Sequence, residues 1–150
     1  MKRILYVEDD FINALVMQKL LKTDFDIVHA PDGETCLEML DNDKFDLILM
    51  DINLGKGKMN GVGTMHQIRA NPRTSNLIVI TVTSYALPED KDRFLREGFD
   101  AYIPKPVDRQ ILLKTIHQYL DWGPVFLHIF CNFIVWKIES RNADQFPFTF

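Results

Sequence analysis

Five short, largely apolar runs set the strongest limit on how this 150-residue chain can fold: "RILYV" (3–7), "FDIVHA" (25–30), "DLILM" (46–50), "LIVITV" (77–82) and "AYI" (101–103). They do not alternate between apolar and polar residues. A strand that is apolar throughout is buried on both faces, as in a parallel sheet flanked by crossover helices. The segments between the runs carry a helical period. Ile12 to Leu21 has apolar residues at 12, 15, 16 and 20, and "DGETCLEMLDN" opens with acids suited to a helix N-terminus. Residues 61–70, 88–97 and 108–119 supply three more helices, with Pro88 and Asp108 where helix starts favour them. Strand and helix alternate five times, which predicts a doubly wound α/β domain with a five-stranded parallel sheet.

Composition excludes several functions. With 47% apolar and 25% charged residues the chain can bury a core. Its net charge of -4 argues against direct nucleic-acid binding. Cys36 and Cys131 form no C-x-x-C pair, and His29, His66, His117 and His128 have no ligand spacing, so neither set is assigned metal chemistry. Cys36 is expected to pack. The start "MKRILYVEDD" turns acidic too early for a signal peptide, which predicts a cytoplasmic protein.

In a sheet of this kind the ligand site lies beyond the carboxyl ends of the strands. The residues found there are Glu8, Asp9 and Asp10 after the first run, Asp51 after the third, Thr83 and Ser84 after the fourth, and Lys105 after the fifth. Carboxylates gathered within several ångströms repel by about 4 kcal/mol per close pair at an effective dielectric near 20, so they call for a cation. An all-oxygen donor set points to Mg²⁺. Thr83 and Lys105 are then placed to meet phosphate oxygens, and Asp51 to act as a carboxylate nucleophile. Asp10 is better read as a helix cap than as a ligand.

"ILYVEDD", "LILMDINL", "VTS" and "YIPKP" together resemble the response-regulator receiver domain of two-component signalling, over residues 2 to about 120. The resemblance implies a flavodoxin-like (βα)5 fold with strand order 2-1-3-4-5. It makes Asp51 the phosphoacceptor, Glu8 and Asp9 the acidic pair that binds Mg²⁺ with Asp51, and Asn53 the position whose backbone carbonyl completes the protein ligands. Thr83 matches the family's hydroxyl residue, Lys105 the lysine before a cis proline (Pro106), and Tyr102 the aromatic switch. Implied partners are a sensor histidine kinase or histidine phosphotransfer protein, a downstream protein target, and a second copy of the chain. Such a domain catalyses only its own phosphorylation and dephosphorylation, and its partner-binding face is expected on residues 88–119. The sequence departs from the family in the loop after Asp51. Gly55 stands where proline is usual, and Gly61 comes two residues late.

Competing readings fit less well. A haloacid-dehalogenase-type, metal-dependent aspartyl-phosphate phosphatase needs a general-acid aspartate where Asn53 stands. A flavodoxin-like cofactor site needs a phosphate loop where "EDD" stands, and no G-x-G-x-x-G is present. A receiver that docks partners without being phosphorylated would not require the full set of site residues.

Residues 1–120 are therefore expected to form the receiver domain, and 121–150 an aromatic-rich extension holding 8 of the chain's 17 aromatic residues. The apolar run 125–136 is too short to span a membrane. The extension lacks the size and basic residues of a DNA-binding domain, so a stand-alone receiver is expected. Its role is open between cover for a neighbouring surface, an extra element on its own domain, and a non-native addition.

Overall fold

The computed structural model describes residues 1–121, so the readings of 122–150 fall outside the described residues. The element order is β1 (Arg3–Val7), α1 (Phe11–Leu21), β2 (Asp26–Ala30), α2 (Gly33–Asn42), β3 (Leu47–Met50), α3 (Gly61–Ala70), β4 (Ile78–Thr83), α4 (Pro88–Arg96) and β5 (Ala101–Pro104). A final helical segment, α5, covers 109–121. All strand pairs are parallel, in the order β2-β1-β3-β4-β5.

The apolar runs behave as double-sided burial requires. Leu5, Val7, Ile48 and Met50 enter the core under α2, α3 and α4, while Ile4, Tyr6, Leu47 and Leu49 enter the core under α1 and α5. Successive residues of one strand thus serve opposite layers. β2 departs from the expectation, because as an edge strand it leaves Asp26 exposed and Ile27, Val28 and His29 only half-buried.

Helix starts are fixed by side-chain caps. Asp10, Asp32 and Asn60 accept from the backbone N–H groups of Asn13, Thr35 and Gly63 at 2.9, 2.8 and 2.8 Å. In α4, Pro88 stands at the start and the Asp90 carboxylate accepts from Leu87 N. Asp108 caps α5 by accepting from Ile111 N.

α1 forms where expected but buries a different face. Ala14, Met17 and Leu21 are inside, whereas Ile12 and Val16 are 65% and 51% exposed and Phe11 and Leu15 also face out. Apolar residues surround nearly the whole helix, so their spacing could not say which stripe packs. Cys36 is buried as expected, and burial, then the nearby Asp32 charge, pushes its thiol up to about 12, which leaves it unreactive.

Candidate functional site

The ladder hydrogen bonds run one residue past the strands and thereby fix the site's backbone. Glu8 N donates to Ala30 O, Asp51 N to Val7 O, and Lys105 N to Thr83 O, all at 2.9 to 3.0 Å. Glu8, Asp51, Thr83 and Lys105 therefore project from one rigid edge.

Among the described residues, the carboxylates of Glu8, Asp9 and Asp51 each place an oxygen within 4.8 Å of the others. Glu8 is buried, Asp51 is 6% exposed, and Asp9 faces solvent. The Lys105 ammonium sits 2.6 Å from Glu8 Oε2 and 2.6 Å from Asp51 Oδ2. The Lys105-Pro106 peptide is cis. Asp51 Oδ1 accepts from Asn53 N at 3.2 Å, which turns the following loop back over the carboxylate.

These groups titrate as one cluster. Burial pushes Asp51 above the usual carboxylate range, with the Glu8 charge adding and Lys105 opposing. Burial acts on Glu8 in the same direction, yet the donors Lys105, Tyr6 and Asp10 N outweigh it and hold Glu8 below that range. Asp9 is raised by burial and by its neighbour Glu8. Burial disfavours charge on Lys105, but its bonds to Asp51 and Glu8 prevail and raise it. Glu8 and Lys105 are thus the settled ion pair, while Asp51, although also bonded to Lys105, is left above the usual range by its burial. Three carboxylates facing one ammonium leave an excess of negative charge, and all the donors are hard oxygens. That is an environment suited to Mg²⁺.

Thr83 ends β4 fully buried, and its Oγ1 accepts from Tyr85 N at 3.3 Å. Tyr102, on β5, stacks on Phe94 with ring centroids 6.2 Å apart, and its hydroxyl donates to Tyr85 O. The structure therefore gathers Glu8, Asp9, Asp51 and Lys105 directly, sets Asn53 beside Asp51, and joins Thr83 to Tyr102 through the backbone of Tyr85. Asp10 accepts from Asn13 N at the start of α1, as expected of a cap.

Sequence reasoning missed two supporting residues. The buried Tyr6 hydroxyl donates to Glu8 Oε2 at 2.8 Å, and His29 Nε2 lies 2.7 Å from Glu8 O. Tyr6 was findable, since it stands two residues before Glu8 and a strand's period of two puts both on one face. His29 gave no such signal, because its contact depends on β2 pairing with β1.

The longer loop after Asp51 rests on α2. Lys58 pairs with Asp32 at 3.5 Å, and Met59 N donates to Glu34. Gly55 takes φ +92° where the loop passes Asp9, and a Cβ on Gly61 would lie 2.2 Å from Asp51 O.

Comparison with known proteins identifies the family and the fold. Residues 4–117 match the family model described as response regulator receiver domain. Hybrid signal transduction histidine kinase I of Dictyostelium discoideum is 32% identical over 123 residues, covering 77% of this chain and 7% of that protein. The polar-differentiation response regulator DivK of Brucella anthropi is 28% identical over 120 residues, covering 79% of this chain and 96% of its own. The receiver domain of sensor histidine kinase PA1611 from Pseudomonas aeruginosa, solved with magnesium coordinated in its active-site cleft, is 26% identical with a TM-score of 0.72, covering 80% of this chain and 98% of that one.

Proposed function

The chain belongs to the response regulator receiver domain family, and from that membership we propose that it is a phosphorylation-dependent signalling switch with Asp51 as its phosphoacceptor. One observation carries the reading. Asp51 directly follows the central strand β3, with a lysine ammonium 2.6 Å from one of its oxygens and two more carboxylates beside it.

The donor is a phosphohistidine on a sensor kinase or phosphotransfer protein. An Asp51 carboxylate oxygen attacks phosphorus, the P–N bond breaks, and its electron pair returns to the imidazole, leaving an acyl phosphate on the chain. The ionised form of Asp51 is the nucleophile. Lys105 neutralises charge on the arriving group, and Thr83 donates its hydroxyl proton to a phosphoryl oxygen. Glu8, Asp9, Asp51 and the backbone carbonyl of Asn53 would hold Mg²⁺, which supplies charge neutralisation at the phosphoryl oxygens.

The new group adds up to about two negative charges beside Thr83 and Lys105. Thr83 is drawn toward it, and Tyr102 follows through the loop between β4 and α4. The face formed by residues 88–119 then presents a different surface to a downstream protein target, whose preference for one state sets the output. The domain turns over no free metabolite. A net charge of -4 keeps direct nucleic-acid binding out of the proposal. Among the described residues no helix is long and apolar enough to cross a membrane. A cytoplasmic location is part of the proposal, resting on the intracellular chemistry of phosphohistidine donors. We take residues 1–120 as the receiver domain and 121–150 as an aromatic-rich extension.

The deciding experiment is intact mass after incubation with Mg²⁺ and acetyl phosphate. The native chain gains one phosphoryl group, and Asp51→Asn or added chelator abolishes the gain. An unmodified native chain would overturn the reading.

A further inference from the structure

Thr83 and Tyr102 never touch each other directly in these hydrogen bonds. The backbone of Tyr85 holds both, its N–H on Thr83 Oγ1 at 3.3 Å and its carbonyl on the Tyr102 hydroxyl. Because Thr83 Oγ1 accepts from Tyr85 N, its own proton is left free to donate. What holds Tyr85 therefore decides how well Thr83 is aimed.

Residue 85 lies in an exposed loop, yet its side chain is gripped from two sides. The Tyr85 ring meets the buried Phe94 edge-on at 6.2 Å. The Arg93 guanidinium lies 5.8 Å from the Tyr85 ring centroid and 4.7 Å from that of Phe94, so one cation covers both rings. Arg93 is itself fixed by Asp90, 3.1 Å away, whose other oxygen accepts from Leu87 N at the end of the same loop. Phe94 also stacks on Tyr102. A loop that would otherwise be loose is thus tied at both ends to the first turns of α4.

We propose that Arg93 and the Tyr85 ring form a latch that positions Thr83 and Tyr102 for phosphoryl recognition, so that the strength of this cation–ring contact sets part of the affinity of the site for a phosphoryl group. The inference rests on Asp51 being the phosphoacceptor. Neither Arg93 nor the Tyr85 side chain touches the reacting atoms, and both act through the backbone of residue 85. Tyr85 contributes its ring face and main chain, so its hydroxyl is dispensable.

The test is titration of the full chain with beryllium fluoride, a tetrahedral mimic of an aspartyl phosphate, in saturating Mg²⁺ and followed by calorimetry. An exposed cation–ring contact supports a change of about two- to fivefold. Arg93→Ala and Tyr85→Ala should each weaken mimic binding by that factor while Mg²⁺ affinity measured alone stays native. Tyr85→Phe should bind as the native chain does, and the double variant Tyr85→Ala with Arg93→Ala should lose no more than Tyr85→Ala, because both remove one device. Native mimic affinity in Arg93→Ala and Tyr85→Ala would overturn the latch, as would a loss in Tyr85→Phe equal to that in Tyr85→Ala. Mimic binding that survives unchanged in Asp51→Asn would instead overturn the phosphoacceptor reading on which the latch depends.

Discussion

The Lys105 ammonium bridges Glu8 Oε2 and Asp51 Oδ2 at 2.6 Å each, so a single cation from the end of β5 joins the ends of β1 and β3. Neither carboxylate has another cationic partner among the described residues. Lys105→Met should therefore destabilise the chain in chelator by about 2 kcal/mol, below the 3 to 5 kcal/mol of a fully buried pair because the lysine is 20% exposed. Adding Mg²⁺ should recover more stability in Lys105→Met than in the native chain, since no internal cation then competes for the carboxylates. Urea unfolding with and without Mg²⁺ reads both effects. Equal gains in the two chains would mean that the lysine and the metal do not share ligands.

Backbone crowding at the site gives a second test. A Cβ on Gly61 would meet Asp51 O at 2.2 Å and Ile52 Cα at 2.8 Å, both main-chain atoms that cannot swing aside. Gly61→Ala should cost about 3 kcal/mol and weaken Mg²⁺ binding, because the displaced strand end carries Asp51. Gly57 lies in the same loop at φ +73° with open space around it, so Gly57→Ala should cost about 1 kcal/mol and leave Mg²⁺ binding alone. Denaturant midpoints of the two variants separate steric from conformational cost.

Much of this is legible in the amino-acid sequence, and the exceptions have physical causes. The five runs match every strand to within a residue, because double-sided burial leaves an unambiguous apolar record in β1, β3 and β4 and the half-buried edge strands β2 and β5 keep enough of it, and Glu8, Asp51 and Lys105 follow from their positions just past those runs. The buried stripe of α1 was illegible, since Phe11, Ile12, Leu15 and Val16 are as apolar as the Ala14, Met17 and Leu21 that pack. The joint hold of Tyr85 on Thr83 and Tyr102 was equally hidden, because it is made by main-chain atoms that every residue possesses.

Asp32 should leave a signature in acid. Its bonds from Thr35, with help from Lys58, hold its carboxyl below the usual range. A carboxyl lowered on folding stabilises fully above the unfolded value of about 3.9, and that contribution disappears as pH falls through the lower folded value. Asp32→Asn keeps a cap but not the charge at the start of α2, so it should be less stable than the native chain by about 0.5 kcal/mol at neutral pH. The gap should close below about pH 4. Stability curves that stay parallel into acid would show that the charge contributes nothing.

Chain truncation bears on the domain boundary. α5 buries Leu112 and Ile116 in the core shared with α1, and the Tyr119 hydroxyl donates to Asp100 O at 2.6 Å. These contacts all lie before residue 121, so a chain ending at Leu120 should unfold in one cooperative step and gain a phosphoryl group from acetyl phosphate as the full chain does. Loss of the cooperative transition would make the extension part of the domain.

Thr81 is the residue that this sheet could most readily improve. Its side chain is fully buried on central strand β4, and its Oγ1 is the one buried side-chain polar atom without a hydrogen-bond partner among the described residues. An unsatisfied buried hydroxyl costs about 1 to 3 kcal/mol relative to leaving it in water, while a methyl of nearly the same shape gains from burial. Valine is also β-branched and suits a central strand. Thr81→Val should therefore stabilise the chain by about 1 kcal/mol, read as a higher urea midpoint at unchanged slope. A lower midpoint would show that the hydroxyl is hydrogen-bonded in solution and that burial of the methyl does not offset its loss.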